Sequence, residues 1–297
     1  MTRSFSFIQV NAFTKSRFGG NQCAVVFGAD ALTDAEMMAI TLDYNYSETA
    51  FVLRSDTADF RARYFTPVGE IPLAGHPTIA TIRALLEAGA IVPVGDAHAL
   101  TLELPAGIIP ITVARDGEGD WLITMQQLAP KFLRTYDVDA AASAFGLTPA
   151  DILPSSVPQT VSTGTPQLMV HVTGPDALAR VAIDRDAYSA LNHAGDFFSP
   201  HLFYVAQENG VEVTYARHPG LPPDTAEDPF TGSATGGMAA YLWHHRLIQS
   251  ARFTAYQGAF VNRPGSAQVE LLGPPEDISG VRISGAGVVT IRGDLFV

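Results

Sequence analysis

Residues 70–78 read EIPLAGHPT, and residues 227–235 read EDPFTGSAT. The two stretches agree at Glu, Pro, Gly and Thr and keep an apolar residue at Leu73 and at Phe230. Each runs into a helical pattern, PTIATIRALLEAG in the first case and GGMAAYLWHHRLI in the second. In the first helix Pro77 suits an opening helical position, Ile79, Ile82, Leu85 and Leu86 share a face, and Gly89 suits the end. A glycine turn feeding a buried helix is therefore written twice in one chain.

Working outward, the elements before each turn also recur in order. In the first half FSFIQVNA (5–12) and QCAVVFG (22–28) read as strands joined by the glycine loop RFGGN. TDAEMMAITLDY (33–44) reads as a helix, with Thr33 and Glu36 at capping-box spacing and Met37, Met38, Ile40 and Leu42 available to a core. The strands YSETAFVL (46–53) and FRARYFTP (60–67) then lead to the turn. In the second half the loop STGTP (162–166), the strand QLMVHV, a helical stretch DALARVAIDRDAYSALNHAG and the strands HLFYVA (201–206) and VEVTYAR (211–217) precede EDPFTGSAT. A unit this long is no solenoid repeat. The order predicts two homologous domains, 1–118 and 119–285, with a last strand at about 286–297 returning to pack on the first.

Composition narrows the function classes. Hydrophobic residues are 47% of the 297 and charged residues 16%, without low complexity, which fits an ordered globular protein. A net charge of −12 and 18 scattered Lys and Arg residues argue against a nucleic-acid partner. No apolar run reaches the roughly 20 residues of a membrane span, and MTRSFSFIQV reads as a strand rather than a signal peptide, so a cytoplasmic protein without a membrane partner is expected. One cysteine, Cys23, excludes an internal disulfide and any catalytic cysteine pair. Within QCAVVF it reads as a buried, inert thiol.

A glycine turn that opens a helix leaves backbone N–H groups unpaired, and with the helix dipole these make a place for an anion. Two such turns can hold one small anionic ligand from both sides; equally, each glycine can simply let strand and helix pack closely. The differences between the copies carry the chemistry. His76 stands where the second copy has Ser233, and Asp228 stands where the first has Ile71. Glu48, in NYSETAFV, is a carboxylate at the start of an apolar strand. Burial there would raise its pKa toward a range useful for proton transfer, while a solvated strand end or a backbone cap is the plainer reading.

The segments GGNQCAVV (19–26), NYSETAFV (45–52), RYFTPVGEIPLAGHPT (63–78), STGTPQLMV (162–170) and EDPFTGSATGGMAAYL (227–242) resemble the PhzF-like family, named for the phenazine-biosynthesis isomerase. The resemblance extends from the N-terminus to about residue 292. It implies an α+β fold like that of diaminopimelate epimerase: two pseudo-symmetric domains, each a β-sheet or barrel wrapped around a central α-helix, with the active site between them. It implies a cofactor-independent isomerase, a homodimer, and no metal. Glu48 matches the glutamate that, in the phenazine enzyme, moves a proton from C3 to C1 of trans-2,3-dihydro-3-hydroxyanthranilate. Asp228 and His76 match polar residues at the substrate's amino and hydroxyl region, and Ser233 matches one beside the substrate. Backbone amides of Gly75, Gly232 and neighbouring positions would hold the carboxylate, with Thr231 and Pro77 also at the substrate. Relatives that use two thiols, diaminopimelate epimerase and proline racemase, are excluded by His76 and Ser233 at the corresponding helix starts.

The chain departs from the family at Arg217, His218 and Pro219, followed by GLPPDTA, where many relatives carry Arg-x-Phe-x-Pro, so specificity is expected to differ there. His244 and His245 point to different helix faces and are not expected to bind metal. GAGVVTIRG (285–293) lacks the helix and acidic residue of a dinucleotide site. Arg63 and Arg217 are expected to brace strands. Two other functions stay open: a binding or scaffold protein for an anionic metabolite, and an epimerase using two carboxylic acids.

Overall fold

Strand pairing repeats the sequence duplication. The computed structural model describes residues 2–220 and 227–297, in two units: Met1–Gln126 with Ser284–Val297, and Gln127–Ile283. The first unit contains β1 (Ser4–Ala12), β2 (Asn21–Val26), α1 (Asp34–Tyr44), β3 (Glu48–Leu53), β4 (Phe60–Thr66), β5 (Gly69–Ile71), α2 (Gly75–Glu87), β6 (Ala97–Leu104), β7 (Gly107–Arg115) and β8 (Trp121–Gln127). The second contains β9 (Lys131–Thr135), α3 (Val138–Ala144), β10 (Gln159–Ser162), β11 (Pro166–His171), α4 (Pro175–Arg180), α5 (Arg185–Ala194), β12 (Ser199–Glu208), β13 (Val211–Arg217), α6 (Gly232–His244), β14 (Arg252–Gln257) and β15 (Gly265–Leu272). The chain passes back to the first unit within β16 (Gly280–Gly285) and ends in β17 (Gly287–Phe296).

From β1 the pairings run antiparallel to β2, parallel to β3, antiparallel to β4, parallel to β6 and antiparallel to β7. From β10 they run antiparallel to β11, parallel to β12, antiparallel to β13, parallel to β14 and antiparallel to β15. The same alternation in both units is stronger evidence of duplication than nine similar residues. β17 lies antiparallel to β1, from Ser4↔Phe296 to Ala12↔Gly287.

Each unit is built around one helix. In α2 and in α6 ten of thirteen residues are buried, whereas only three of eleven are buried in α1. A helix apolar all round belongs inside. α6 accordingly begins GSATGG, small residues that let other groups approach its axis: a Cβ on Gly236 would overlap the Gln127 amide, and one on Gly237 would sit 2.7 Å from Met169 Cε. In the first unit Tyr64, Phe51, Ile79, Ile82 and Leu85 are fully or almost fully buried.

Several local expectations hold. Thr33 accepts from Glu36 N while Glu36 accepts from Thr33 N, closing the capping box of α1. Gly89 follows the last helical turn of α2 at φ 72°, where a side chain would be strained. Arg63 bridges Asp34 and Glu70, both at 2.6 Å. Cys23 is fully buried, and burial pushes its thiol pKa well up, with the Glu48 charge adding to the effect.

Others are corrected. α2 starts at Gly75, so Pro77 is its third residue, still within the turn whose N–H groups lack intrahelical partners. Leu42 is 53% exposed and Leu86 only partly buried. The long helical stretch after QLMVHV is two helices, because the chain turns at Val181–Asp184 and Asp184 caps α5 by accepting from Ala187 N. The unit boundary falls at 126/127 rather than 118/119: β8 folds back on β7, Arg115 opposite Trp121, through a tight turn in which Asp116 Oδ1 accepts from Glu118 N and Asp120 N.

Candidate active site

In the first unit the site begins with a change of backbone direction. Asn45, in the left-handed region at φ 52°, ends α1, and three residues later Glu48 opens β3. β3 runs parallel to β2 with Glu48 opposite Cys23. This register places the carboxylate over the start of α2, where His76 Nε2 lies 3.3 Å from Glu48 Oε2. The His76 side chain is 4% exposed and that of Glu48 17%.

The neighbours fix the state of His76. Ser47 Oγ donates to Asn21 Oδ1 at 3.3 Å, which turns the Asn21 amide so that Nδ2 faces His76 Nδ1 at 3.1 Å. An amide nitrogen can only donate, so Nδ1 is the acceptor and the ring proton resides on Nε2, toward Glu48. Burial lowers the His76 pKa to about 3. His76 is thus a neutral ring whose Nε2 side faces a carboxylate, a close polar contact short of hydrogen-bond geometry and not an ion pair. A carboxylate so placed can accept a proton and return it.

The second unit arranges its turn differently. Asp228 N donates to His218 O at 2.9 Å, Asp228 O accepts from Gln257 Nε2 at 2.7 Å, and Asp228 Oδ2 accepts from Thr231 Oγ1 at 2.5 Å. Thr231 N in turn donates to Gln257 Oε1 at 3.1 Å. Thr231, expected beside a ligand, spends its hydroxyl proton on Asp228. Ser233 Oγ accepts from Gln167 Nε2 at 3.2 Å, and Gly232 O accepts from Gln127 Nε2 at 2.8 Å. Neither Ala74 nor Thr231, the residues preceding α2 and α6, caps its helix with a side chain. The first-turn amides at Gly75 and Gly232 therefore meet no capping side chain from these two residues.

Glu48 and His76 are brought together within the first unit, with Gly75 and Pro77 in the same helical turn. Asp228, Thr231, Gly232 and Ser233 are brought together within the second. Arg217 forms a forked pair with Glu227, Nε to Oε2 at 3.1 Å and Nη2 to Oε2 at 2.7 Å, and also donates to Leu178 O and Val181 O. It braces the segment before the second turn. Residues 221–226 of GLPPDTA lie outside the described residues. His244 stacks on Phe132 and donates from Nδ1 to Pro275 O, while His245 pairs with Gln159, so the two do diverge. A cavity of about 920 Å³ is lined by Lys15, Arg83, Arg115, Trp121 and residues 286–292 and includes none of the candidate site residues. Its size is no argument against Glu48, because chemistry is identified by convergent polar groups rather than volume.

Sequence reasoning missed the supporting amides. Asn21 and Gln167 stand inside the quoted segments GGNQCAVV and STGTPQLMV, where an amide at the edge of a strand was a readable signal. Gln127 and Gln257 had none.

A profile of the family described as phenazine biosynthesis-like protein matches residues 10–293. An uncharacterized isomerase of Clostridium acetobutylicum is 32% identical over 304 aligned positions, covering 99% of both chains. The trans-2,3-dihydro-3-hydroxyanthranilate isomerase of Pseudomonas aeruginosa is 30% identical, covering 98% of this chain and 99% of its own. The crystal structure of a PhzF-family phenazine biosynthesis protein from Bacillus anthracis superposes with a TM-score of 0.88 at 30% identity, covering 99% of this chain and all of the other.

Proposed function

The chain belongs to the phenazine biosynthesis-like family and is an isomerase of it, and from that premise we propose that it shifts a proton on a small, carboxylated, cyclic amino or hydroxy acid, with Glu48 as the acid/base and no cofactor. The observation that carries the reading is the Glu48–His76 pair, a carboxylate 3.3 Å from a buried histidine that stays neutral. In the reaction the Glu48 carboxylate takes a proton from a ring carbon next to a double bond and becomes the carboxylic acid. The double bonds move, and the same group returns the proton at the far end of the shifted system. One carboxylate that takes and returns the proton works on one face of the ring.

His76 keeps its ring proton and lies 3.3 Å from the carboxylate, close enough to steady it once substrate is bound. A positioned acid/base contributes about 10²–10⁴-fold to rate, and orientation of the bound substrate adds to it. The amides at Gly75 and Gly232 are assigned to the substrate carboxylate, and Asp228 and Ser233 to its amino and hydroxyl groups. The substrate of the Pseudomonas aeruginosa relative is the natural first compound to try.

The test is incubation with trans-2,3-dihydro-3-hydroxyanthranilate in D2O, followed by ultraviolet absorbance and proton NMR. Loss of the diene absorbance in step with new ring resonances is expected. An unchanged spectrum rejects this substrate and moves the search to other cyclic amino and hydroxy acids.

A further inference from the structure

A chain of five polar side chains runs through the second unit from its buried interior to Ser233. Gln167 Nε2 meets Ser233 Oγ at 3.2 Å, Ser199 Oγ meets Gln167 Oε1 at 3.1 Å, His218 Nε2 meets Ser199 Oγ at 3.0 Å, and His201 Nδ1 meets His218 Nδ1 at 3.2 Å. Both ends of the two histidine links can donate or accept, and the Gln167 amide can lie either way round, so the chain as a whole admits two directions. Either all donors point toward Ser233 or all point toward His201, because each hydroxyl and each neutral ring has one proton to give.

The inner end decides between them. His201 is fully buried, and its Nε2 has no hydrogen-bond partner among the described residues. If the protons pointed inward, that atom would carry a buried, unpaired N–H. If they point outward, it carries only an unshared lone pair. Orphaned buried donors are the rarer and costlier case. Burial lowers the His201 pKa well below its usual value and that of His218 to about 3, so both rings are neutral and each has a single proton. The outward direction makes His201 the Nδ1–H tautomer and His218 the Nε2–H tautomer. Ser199 then gives its proton to Gln167 Oε1, and Gln167 Nε2 donates to Ser233.

We propose that Gln167, Ser199, His218 and His201 form a one-way relay that occupies the acceptor side of Ser233 Oγ and so reserves the Ser233 proton for an oxygen acceptor on the ligand, a carboxylate or carbonyl. Gln167 and His218 are positioning residues in this account, which rests on the isomerase reading only for the identity of the ligand. His218 ties the second turn together twice. Its ring governs Ser233 through the relay, and its backbone carbonyl accepts from Asp228 N at 2.9 Å. This gives a physical role to the point at which the sequence departs from the family pattern, Arg217-His218-Pro219.

Long-range ¹H–¹⁵N NMR of protein labelled at histidine reads the tautomers directly, with His201→Phe and His218→Phe used only for assignment. Nδ1–H at His201 and Nε2–H at His218 are expected; the opposite pair of tautomers overturns the relay. A second comparison needs turnover of trans-2,3-dihydro-3-hydroxyanthranilate. Gln167→Leu and Gln167→Glu both remove the donor to Ser233, but only the glutamate can draw the Ser233 proton to itself. KM for Gln167→Glu should exceed that for Gln167→Leu by about tenfold, the scale of one charge-assisted hydrogen bond redirected. Equal values, or a larger loss with leucine, contradict the assignment. A wild type that leaves the compound untouched rejects that substrate, and the tautomer pattern still decides the relay.

Discussion

The two glycine turns share a backbone and differ in what surrounds it. Both open a thirteen-residue helix of which ten residues are buried, and neither helix takes a side-chain cap, whereas α1, α3 and α5 start at Thr33, Asp137 and Asp184, each of which accepts from the first turn. Around the first turn stands a carboxylate with a neutral histidine. Around the second stand amides and hydroxyls, with Asp228 held by Thr231 and by its own main chain. Duplication has kept an uncapped helix start in both copies and has surrounded it with different side chains, which the proposed function divides between proton transfer and grip.

Removing the His76 donor should reveal the division most strongly. His76→Phe should lower kcat by about 10–100-fold, within the range of a positioning hydrogen bond to an acid/base, and steady-state kinetics should show KM changing less. A rise in KM alone would place His76 in ordinary binding instead. Acidification gives the next largest effect. His76, His218 and His201 have folded pKa values depressed by burial, as does His171 at about 4. The unfolded chain takes up protons near the usual value of about 6.5, so stability present above that pH is lost as pH falls toward 4, by up to about 1.4 kcal/mol per pH unit for each histidine. Urea midpoints across this window check the slope, which His201→Phe should reduce.

Gly236→Val tests the packing of the second turn. A side chain there overlaps the Gln127 amide, which holds both Gly232 O and Thr163 Oγ1. A loss of about 1–3 kcal/mol is expected from overpacking, with weakened substrate binding, since the amide that steadies Gly232 must move. Unchanged binding would show that Gln127 is only a core residue. Thr33→Ala, by contrast, should cost about 1 kcal/mol as the loss of an ordinary cap, with kinetics untouched, because α1 spends its N-terminus on its own side chain.

Much of this was legible in the sequence, and the reasons are specific. EIPLAGHPT and EDPFTGSAT declare the paired helices because glycine turns and apolar runs are local signals. Thr33 and Glu36 declare a cap for the same reason. The division of the long stretch 176–195 into α4 and α5 was hidden, since a turn at Val181–Asp184 follows from tertiary contacts such as Ala182 N to Phe145 O, 3.0 Å. The exposure of Leu42 was hidden because periodicity does not say how wide the covered face is. At the site, Glu48 and His76 stand out as polar residues among apolar ones. Asn21, Gln127 and Gln167 do not, because a glutamine or asparagine reveals its task only when its two ends are placed between named partners. His218 reads in sequence as an irregularity at a strand end and in the structure as the link between Asp228 and Ser233.

The division of labour is tested most directly by measuring kcat and KM for Glu48→Gln and Ser233→Ala side by side, on the first compound the wild type turns over. Glu48→Gln should lose about 10²–10⁴-fold in kcat with KM little changed, as expected for the acid/base, and Ser233→Ala should chiefly raise KM. A Glu48→Gln enzyme that keeps its kcat, or a Ser233→Ala enzyme that loses it, would contradict the account.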